Sequence, residues 1–192
     1  MSHIKIPNTK YNVNSLFVDR WSPRAFSEKS ISTEDLMSMF EAASWAASAM
    51  NDQPWRYIAA QKENTESFNQ LVDCLNPANQ IWAKNAAVLI ISGMSTIYSS
   101  NQKPNGGAMH DLGLANQNLI LQAQSKNIYS HIMGGFDKEK ATSLFNSDGT
   151  IVAHCMIALS YLGDPELLDE TLKQRELTGR SRRPIEDFVT ML

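Results

Sequence analysis

The sequence predicts an α+β fold in a single domain, residues 1–192. Apolar runs typical of strands are mixed with amphipathic helical segments, without the regular strand–helix–strand repeat of a doubly wound parallel sheet. No linker, internal repeat or low-complexity tract divides the 192 residues, a length that fits one domain of ordinary size. A chain of this length buries about 70% of its unfolded surface, so it folds without a disulfide or a metal.

Two helices are predicted in the first part of the chain. Residues 12–19 form a short helix that ends before Pro23, because proline disfavours the helical region for the residue preceding it. Ser32 is the predicted N-cap of the second helix, with Ile31 and Leu36 at the two positions of a hydrophobic staple. The apolar face of this helix comprises Leu36, Phe40, Ala43 and Ala47.

The middle of the chain contains two predicted strands separated by a helix. Residues 55–60 form the first strand, residues 64–75 the helix and residues 86–92 the second strand. The second strand is continuously apolar, which is typical of a strand covered on both faces. Residues 95–108 contain one proline and two glycines and are predicted to form a long loop, a candidate lid over a functional site.

The strongest helical pattern covers residues 109–126, whose wide apolar face predicts a central position or an interface. A short strand, 128–132, and a short helix, 137–145, whose first residue is its aspartate N-cap, follow. Residues 150–162 are predicted to form a buried strand. Residues 165–177 are predicted to form a polar helix that leads into a basic tail.

Composition argues against several classes of function. The net charge of −3 and the absence of a basic stripe disfavour nucleic-acid binding. No run of about 18 apolar residues predicts a membrane span, and the first ten residues lack the pattern of a signal peptide. Cys74 and Cys155 have neither CxxC spacing nor a nearby histidine cluster. We therefore expect reduced, buried thiols, no metal site and a cytoplasmic location.

Arginines are concentrated near both ends of the chain. Arg20 and Arg24 lie near the start, while Arg180, Arg182 and Arg183 fall within four residues of the tail. A phosphate monoester carries a charge of about −2 at neutral pH and is best bound by planar guanidinium groups. These arginines are therefore candidate phosphate ligands. A solvated basic tail and arginines at a helix end remain the alternative interpretations when each run is taken alone.

Two further segments are suited to a flat ring. Asn51 and Gln53 each present donor and acceptor atoms, which match an amide-and-imide edge such as the pyrimidine side of a flavin. The Gly134-Gly135 pair allows the backbone to approach a flat ligand closely, although GxGxxG is absent. Ordinary turns remain the alternative interpretation of both segments.

Together, and in this order, these segments resemble the nitroreductase-like family of FMN-dependent NAD(P)H oxidoreductases. The similar segments are Arg20-Trp21-Ser22-Pro23-Arg24-Ala25-Phe26, Asn51-Asp52-Gln53-Pro54-Trp55, Asp111-Leu112-Gly113 to Leu121-Gln122-Ala123, Gly134-Gly135-Phe136-Asp137, and Arg180-Ser181-Arg182-Arg183-Pro184-Ile185-Glu186. The resemblance implies a nitroreductase-like fold, in which a mixed, mainly antiparallel sheet is flanked by helices. It also implies a homodimer with FMN at the interface.

The resemblance implies a role for each segment. The implied cofactor-binding residues are Arg20, Trp21, Ser22, Arg24, Ser48, Ala49, Asn51, Gln53, Gly134, Gly135, Arg180 and Arg182. Arg20, Ser22 and the two tail arginines would hold the FMN phosphate. Arg24 would sit by the flavin N1–O2 edge, where a cation favours the reduced, anionic flavin. The partner subunit would supply Ser48, Ala49 and Asn51, and the Gly134-Gly135 pair would offer backbone N–H groups near N5.

The implied activity passes hydride from NAD(P)H, as co-substrate, to an acceptor such as a nitroaromatic or quinone by a ping-pong mechanism. The flavin performs the chemistry, so no catalytic side chain is expected. One alternative is an FMN-binding regulatory or storage protein with little turnover. Another is an enzyme of the same fold with a different reaction, such as flavin breakdown, dehalogenation or azoline oxidation.

The histidines are expected to be mainly structural. His110 and Asp111 start the central helix, where structural roles are expected. His154 lies in an apolar strand and is predicted to be a core residue. His131 precedes the glycine pair and is a candidate to approach the flavin, while Arg183 has no assigned role.

Overall fold

The computed structural model describes residues 5–7, 9–146 and 148–192. Within these residues the helices are α1 Ser15–Asp19, α2 Thr33–Ser44, α3 Thr65–Val72, α4 Pro77–Ala83, α5 Ala108–Ser125, α6 Lys138–Ser143 and α7 Glu170–Leu177. The strands are β1 Trp55–Gln61, β2 Val88–Ser95, β3 Tyr129–Met133 and β4 Ile151–Ser160. This mixture of helices with one sheet confirms the predicted α+β class.

The four strands form one sheet in the order β1-β2-β4-β3, and every neighbouring pair is antiparallel. Alternate residues of β2 face opposite layers. Val88 and Ile90 pack with α2 and α5, while Leu89 and Ile91 pack with α3, α4 and α6. Helices therefore cover both faces of the sheet, and the prediction that this strand is buried on both faces is confirmed.

A β-bulge interrupts the pairing of β2 with β4. Ser92 pairs with Cys155, but the next residue, Gly93, pairs with Ala153, so His154 is an extra residue in β4. A bulged residue leaves the regular alternation of inward and outward side chains. His154 is exposed in this chain, and the prediction of a core histidine is wrong for that reason.

Local signals located most element ends correctly. Ser32 Oγ accepts a hydrogen bond from Asp35 N at 3.0 Å, which confirms the N-cap of α2. Asp137 Oδ1 accepts from Lys140 N at 2.9 Å and caps α6 as predicted. However, α2 ends at Ser44, so Ala47 does not belong to its apolar face.

The predicted helix 64–75 is shorter than expected, and the predicted helix 165–177 is divided by a second N-cap. The predicted helix 64–75 ends at Val72, and a separate helix, α4, begins after its cap Asn76 with proline at its first position. Proline suits that position because its missing N–H has no partner there. The predicted helix 165–177 becomes a 3-10 turn, Pro165–Leu167, and then α7 after the cap Asp169.

The candidate lid connects β2 to α5 as a loop, as predicted. Its two arms meet at a bridge between Ile97 and Pro104, and Tyr98 N donates to Lys103 O at 2.8 Å. Within the described residues, no helix has the length and apolar character needed to cross a membrane.

Candidate functional site

A cavity of about 380 Å³, which we call the arginine cavity, lies where the start of the chain meets its tail. Its lining residues are Lys5, Arg20, Trp21, Ser22, Arg175, Thr178, Gly179, Arg180 and Arg182. The fold therefore brings together five of the twelve predicted cofactor-binding residues from opposite ends of the sequence. The family-like segments at the two ends form one site.

Among the described residues, the guanidinium groups of this cavity form no ion pair with a carboxylate. No ion pair among the described residues involves Arg20, Arg180 or Arg182. Burial and the nearby Arg182 both lower the pKa of Arg20, and burial, Arg182 and Arg20 lower the pKa of Arg180. Unpaired, partly buried cations repel each other, so a multiply charged anion is the ligand that this cavity favours.

Arg180 has a structural role that the sequence did not reveal. Its guanidinium group donates hydrogen bonds to the backbone carbonyls of Lys5, Val18 and Arg20. These bonds use three of the five N–H donors of the side chain and leave two. Arg180 therefore holds the tail against the N-terminal segment and contributes both charge and its remaining donors to the cavity.

Lys5 is a site residue that sequence reasoning missed. Its Nζ donates to Arg175 O at 3.0 Å and to Thr178 O, and it lies 4.6 Å from the centroid of the Trp21 ring. Nothing in the sequence around Lys5 distinguishes it from a surface lysine. The two carbonyls that accept its hydrogen bonds lie 170 and 173 positions away along the chain.

Arg24 lies beside the arginine cavity and does not line it. Its backbone N–H donates to both carboxylate oxygens of Glu176 at 3.1 Å, and its Cζ lies 5.6 Å from the Trp82 ring centroid. Burial lowers the pKa of Arg24, and the Glu176 carboxylate opposes that shift. The cation is therefore held in place by its backbone, while its guanidinium group makes no ion pair in the described structure.

His131 supports the turn that carries Arg24. Its Nδ1 lies 2.9 Å from Pro23 O, so this nitrogen carries the proton and donates to the carbonyl. Its ring centroid lies 4.5 Å from that of Trp82. Burial lowers the pKa of His131 to about 4, so the ring is neutral at pH 7. His131 thus joins β3 to the segment around Arg24.

The glycine pair follows directly after β3, and its two members differ. A Cβ on Gly135 would lie 2.4 Å from Asn76 Nδ2, and Gly135 O accepts hydrogen bonds from Asn76 N and from Asn79 Nδ2. A Cβ on Gly134 would meet nothing within 4 Å. Close packing against the start of α4 requires the second glycine, whereas the first is exposed and open to approach.

The segment 48–53 has a strained backbone. Met50, Asn51 and Gln53 have φ values of 55°, 55° and 52°. These values lie in the left-handed region, which is unfavourable for residues other than glycine. Each such residue costs on the order of 1–3 kcal/mol and persists only where surrounding contacts hold it. Such strain is concentrated at functional sites, and the segment is a candidate for one.

Three hydrogen-bonded anchors hold this strained segment. Ala49 N donates to Asp111 Oδ2 at 3.0 Å, and Gln53 N donates to Ser48 Oγ at 3.1 Å. Asp52 Oδ1 accepts from both the backbone N–H and the hydroxyl of Ser99 on the candidate lid. Asp111 therefore has the structural role expected of it, and the segment is linked to the lid.

Within one chain the fold does not bring the segment 48–53 to the arginine cavity. The segment is bonded to Asp111 at the start of α5, whereas Trp21 of the cavity shares a neighbouring cavity with Gln124, near the end of α5. Thirteen helical residues at 1.5 Å each separate these positions by roughly 20 Å. In one chain the two groups therefore lie in different places, and none of the residues 48–53 lines the arginine cavity.

The antiparallel sheet, its two helical layers and the arginine-lined cavity define an α+β protein with a site suited to a phosphate group. The chain belongs to the nitroreductase family, because the model of the "Nitroreductase family" matches residues 18–161. This match includes the segments around Arg20, Asn51 and Gly134, and the tail arginines lie beyond it.

Comparison with known proteins agrees with this assignment. A crystal structure described as an oxidoreductase containing FMN is 34% identical, covers 95% of this chain and 93% of that chain, and has a TM-score of 0.89. A nitroreductase family protein from Streptococcus pneumoniae shares the fold at 20% identity, 93% and 98% coverage and a TM-score of 0.71. A relative from Polynucleobacter asymbioticus named "Putative NADH dehydrogenase/NAD(P)H nitroreductase" is 24% identical over 179 residues, 82% of this chain and 88% of that protein.

Proposed function

We propose that this chain is an FMN-dependent oxidoreductase that takes NAD(P)H as co-substrate and acts as a homodimer. The observation that carries the proposal is the cavity in which Arg20, Arg180 and Arg182 converge with no ion-pair partner in the part of the chain that the structure describes. Its charge suits the phosphate of FMN, and a structure 34% identical to this chain is described as containing FMN.

The residues of the cavity match the chemistry of a phosphate group. Arg20 and Arg182 offer guanidinium donors, Ser22 offers a hydroxyl, and Arg180 offers the two N–H groups that the backbone carbonyls leave free. Bound FMN would accept a hydride from NAD(P)H and pass electrons to an acceptor such as a nitroaromatic or quinone in a ping-pong sequence. The protein would supply orientation and charge.

The proposal assigns Arg24 and the Gly134 backbone to the ring of the same cofactor. The hydrogen bond from His131 Nδ1 to Pro23 O attaches β3 to the segment that contains Arg24. The exposed Gly134 follows directly after β3. A cation near the N1–O2 edge stabilises the negative charge of the reduced ring. No side chain is needed as an acid or base in this scheme.

Two observations support the homodimer. The segment 48–53 lies roughly 20 Å along α5 from the arginine cavity of the same chain, which favours a partner chain as the source of this segment at each flavin. The tail also leaves large apolar side chains exposed, which is a feature of interaction surfaces. These side chains are Ile185, Phe188, Val189, Met191 and Leu192.

The first test is an absorbance spectrum of the purified protein, followed by anaerobic addition of NADPH or NADH. We expect a flavin band that bleaches within seconds. A flavin band that persists in excess NAD(P)H would instead favour the regulatory or storage alternative. No flavin band, even after FMN is added, would remove the proposal.

A further inference from the structure

We propose that Glu176 is a positioning residue that fixes the segment of Arg24 and tunes, through its own charge, how strongly the site favours reduced flavin. The proposal rests on the proposed FMN function, because it concerns the cation assigned to the N1–O2 edge. No motif in the sequence indicates Glu176, which lies in the last turn of the polar helix α7.

The burial of Glu176 is the first observation. Its relative exposure is 3%, and it is the buried residue of α7, a helix whose other residues are exposed or half-buried. Burying a carboxylate costs free energy unless hydrogen bonds or opposite charges compensate. The inward orientation of Glu176 on α7 therefore depends on the hydrogen-bond donors that its carboxylate meets.

The partners of Glu176 are the second observation. Both oxygens accept from Arg24 N at 3.1 Å, and Oε1 also accepts from Ala25 N at 3.0 Å. These bonds attach α7 to the two residues that follow Pro23. The same carboxylate thus fixes the backbone of Arg24. The position from which the Arg24 side chain extends is fixed with it.

The charge of Glu176 is the third observation. The described residues contain no ion pair that involves Glu176, so its charge is compensated by amides at contact distance and by cations further away. Its field reaches those cations, because it raises the pKa of both Arg24 and Lys5 against the effect of burial. In a partly buried site such charges interact more strongly than in water.

The consequence concerns the flavin ring. Arg24 alone would stabilise the extra negative charge of reduced flavin, and the nearby Glu176 offsets part of that stabilisation. Glu176 therefore lowers the reduction potential of the bound cofactor, while its hydrogen bonds keep Arg24 in position. A merely structural anchor would fix the backbone and leave the potential unchanged.

The test compares reduction potentials of the FMN-loaded full chain by anaerobic titration against a reference dye. Glu176→Gln keeps an acceptor oxygen and removes the charge. We expect at least a tenfold increase in the ratio of reduced to oxidised flavin at a fixed potential, which is a positive shift of about 30 mV for two electrons. Arg24→Ala should shift the potential in the opposite direction.

The matched control is Glu170→Gln on the same helix, where the carboxylate is exposed. Its potential should equal that of the parent. A Glu176→Gln potential equal to the parent's, with FMN bound, overturns the proposal and leaves the FMN function intact. A parent chain that binds no FMN instead overturns the proposed function.

A second variant keeps the proposal testable if Glu176→Gln does not fold. Glu176→Asp retains the charge but retracts the carboxylate from the amides of Arg24 and Ala25. We expect faster hydrogen exchange of these two amides and a several-fold weaker FMN affinity, with a potential close to that of the parent. Parental exchange rates and parental FMN affinity in this variant would contradict the positioning role.

Discussion

At the scale of single residues, the arginines that look alike in the sequence have different tasks in the structure. Arg180 donates to three backbone carbonyls, and Arg24 is held through its backbone N–H. Arg182 is exposed at the cavity, and among the described contacts its Nη1 donates only to the neighbouring Ser181 O. Arg182 is therefore the guanidinium group most free to bind a phosphate. Arg180, in contrast, holds both chain ends together, so its replacement would disturb the proposed phosphate site and the local fold at once.

We predict that Arg182→Ala weakens FMN binding by about 1.5–3 kcal/mol, the scale of a hydrogen bond to a charged group. The dissociation constant of FMN, measured by fluorescence titration, tests this. Arg183→Ala provides the control, because Arg183 carries the same charge in the tail and does not line the cavity. Unchanged affinity in Arg182→Ala would exclude this residue from the site.

His131 gives a second prediction at this scale. Burial lowers its pKa from 6.5 to about 4, and the hydrogen bond to Pro23 only partly opposes that effect. Below pH 6.5 the unfolded chain binds a proton that the folded chain does not, so stability falls as pH falls from 6.5 to 4. The loss attributable to His131 is up to about 3 kcal/mol.

Chemical denaturation at pH 7 and pH 4.5 measures this dependence. His131→Gln should lose this part of the pH dependence, since glutamine retains an N–H donor for Pro23 O but does not titrate. His154→Gln is the control, because His154 is exposed and its replacement should preserve the slope. Equal slopes for the parent and His131→Gln would contradict the assignment.

At the scale of elements, close approaches between segments determine which residues a position accepts. The end of β3 meets the start of α4 at Gly135, where the backbone carbonyl accepts two hydrogen bonds and no space remains for a side chain. The strained segment 48–53 is likewise held by anchors on α5 and on the lid. Both arrangements hold backbone groups near the surface through contacts with neighbouring elements.

We predict that Gly135→Ala lowers the free energy of unfolding by about 1–3 kcal/mol, because the added Cβ displaces the side chain of Asn76, the N-cap of α4. Its contact with Asn76 Nδ2 would be 2.4 Å. Gly134→Ala is the matched control, because the same methyl group there meets open space. Denaturation of the protein without added cofactor measures both; equal stabilities would show that α4 accommodates the methyl group.

At the scale of the whole molecule, the two chain ends close one site, and the tail extends beyond it. Lys5 and Arg180 hold the ends together through backbone carbonyls, and Lys10 pairs with Glu186 at 2.7 Å. The tail beyond these contacts is exposed and apolar in part. The homodimer and the cytoplasmic location remain predictions for solution and cell experiments.

We predict that deletion of residues 185–192 weakens the homodimer, because it removes the exposed apolar side chains of the tail. Light scattering of the parent should give about twice the mass of the 21.5 kDa chain, and the deletion should shift the equilibrium toward monomer. Lys10→Ala, which removes only the exposed ion pair with Glu186, should remain dimeric. A deletion variant that dimerises like the parent would exclude the tail from the interface.

The sequence by itself determined the features that depend on near neighbours. The caps of α2 and α6, the extent of α5 and the buried character of β2 follow from side chains a few residues apart. The family-like segments also identified five residues that the fold assembles into one cavity. These predictions hold because hydrogen-bonded caps and apolar periodicity act within one or two turns of chain.

Only the tertiary structure decided the features that depend on distant residues. The three carbonyl partners of Arg180 lie 160 to 175 positions away, and the amide partners of Glu176 lie about 150 positions away. The bulge that exposes His154 depends on a neighbouring strand, and the distance between the segment 48–53 and the arginine cavity depends on how α5 packs. No local pattern encodes such partners, because burial and charge coupling arise only once distant segments meet.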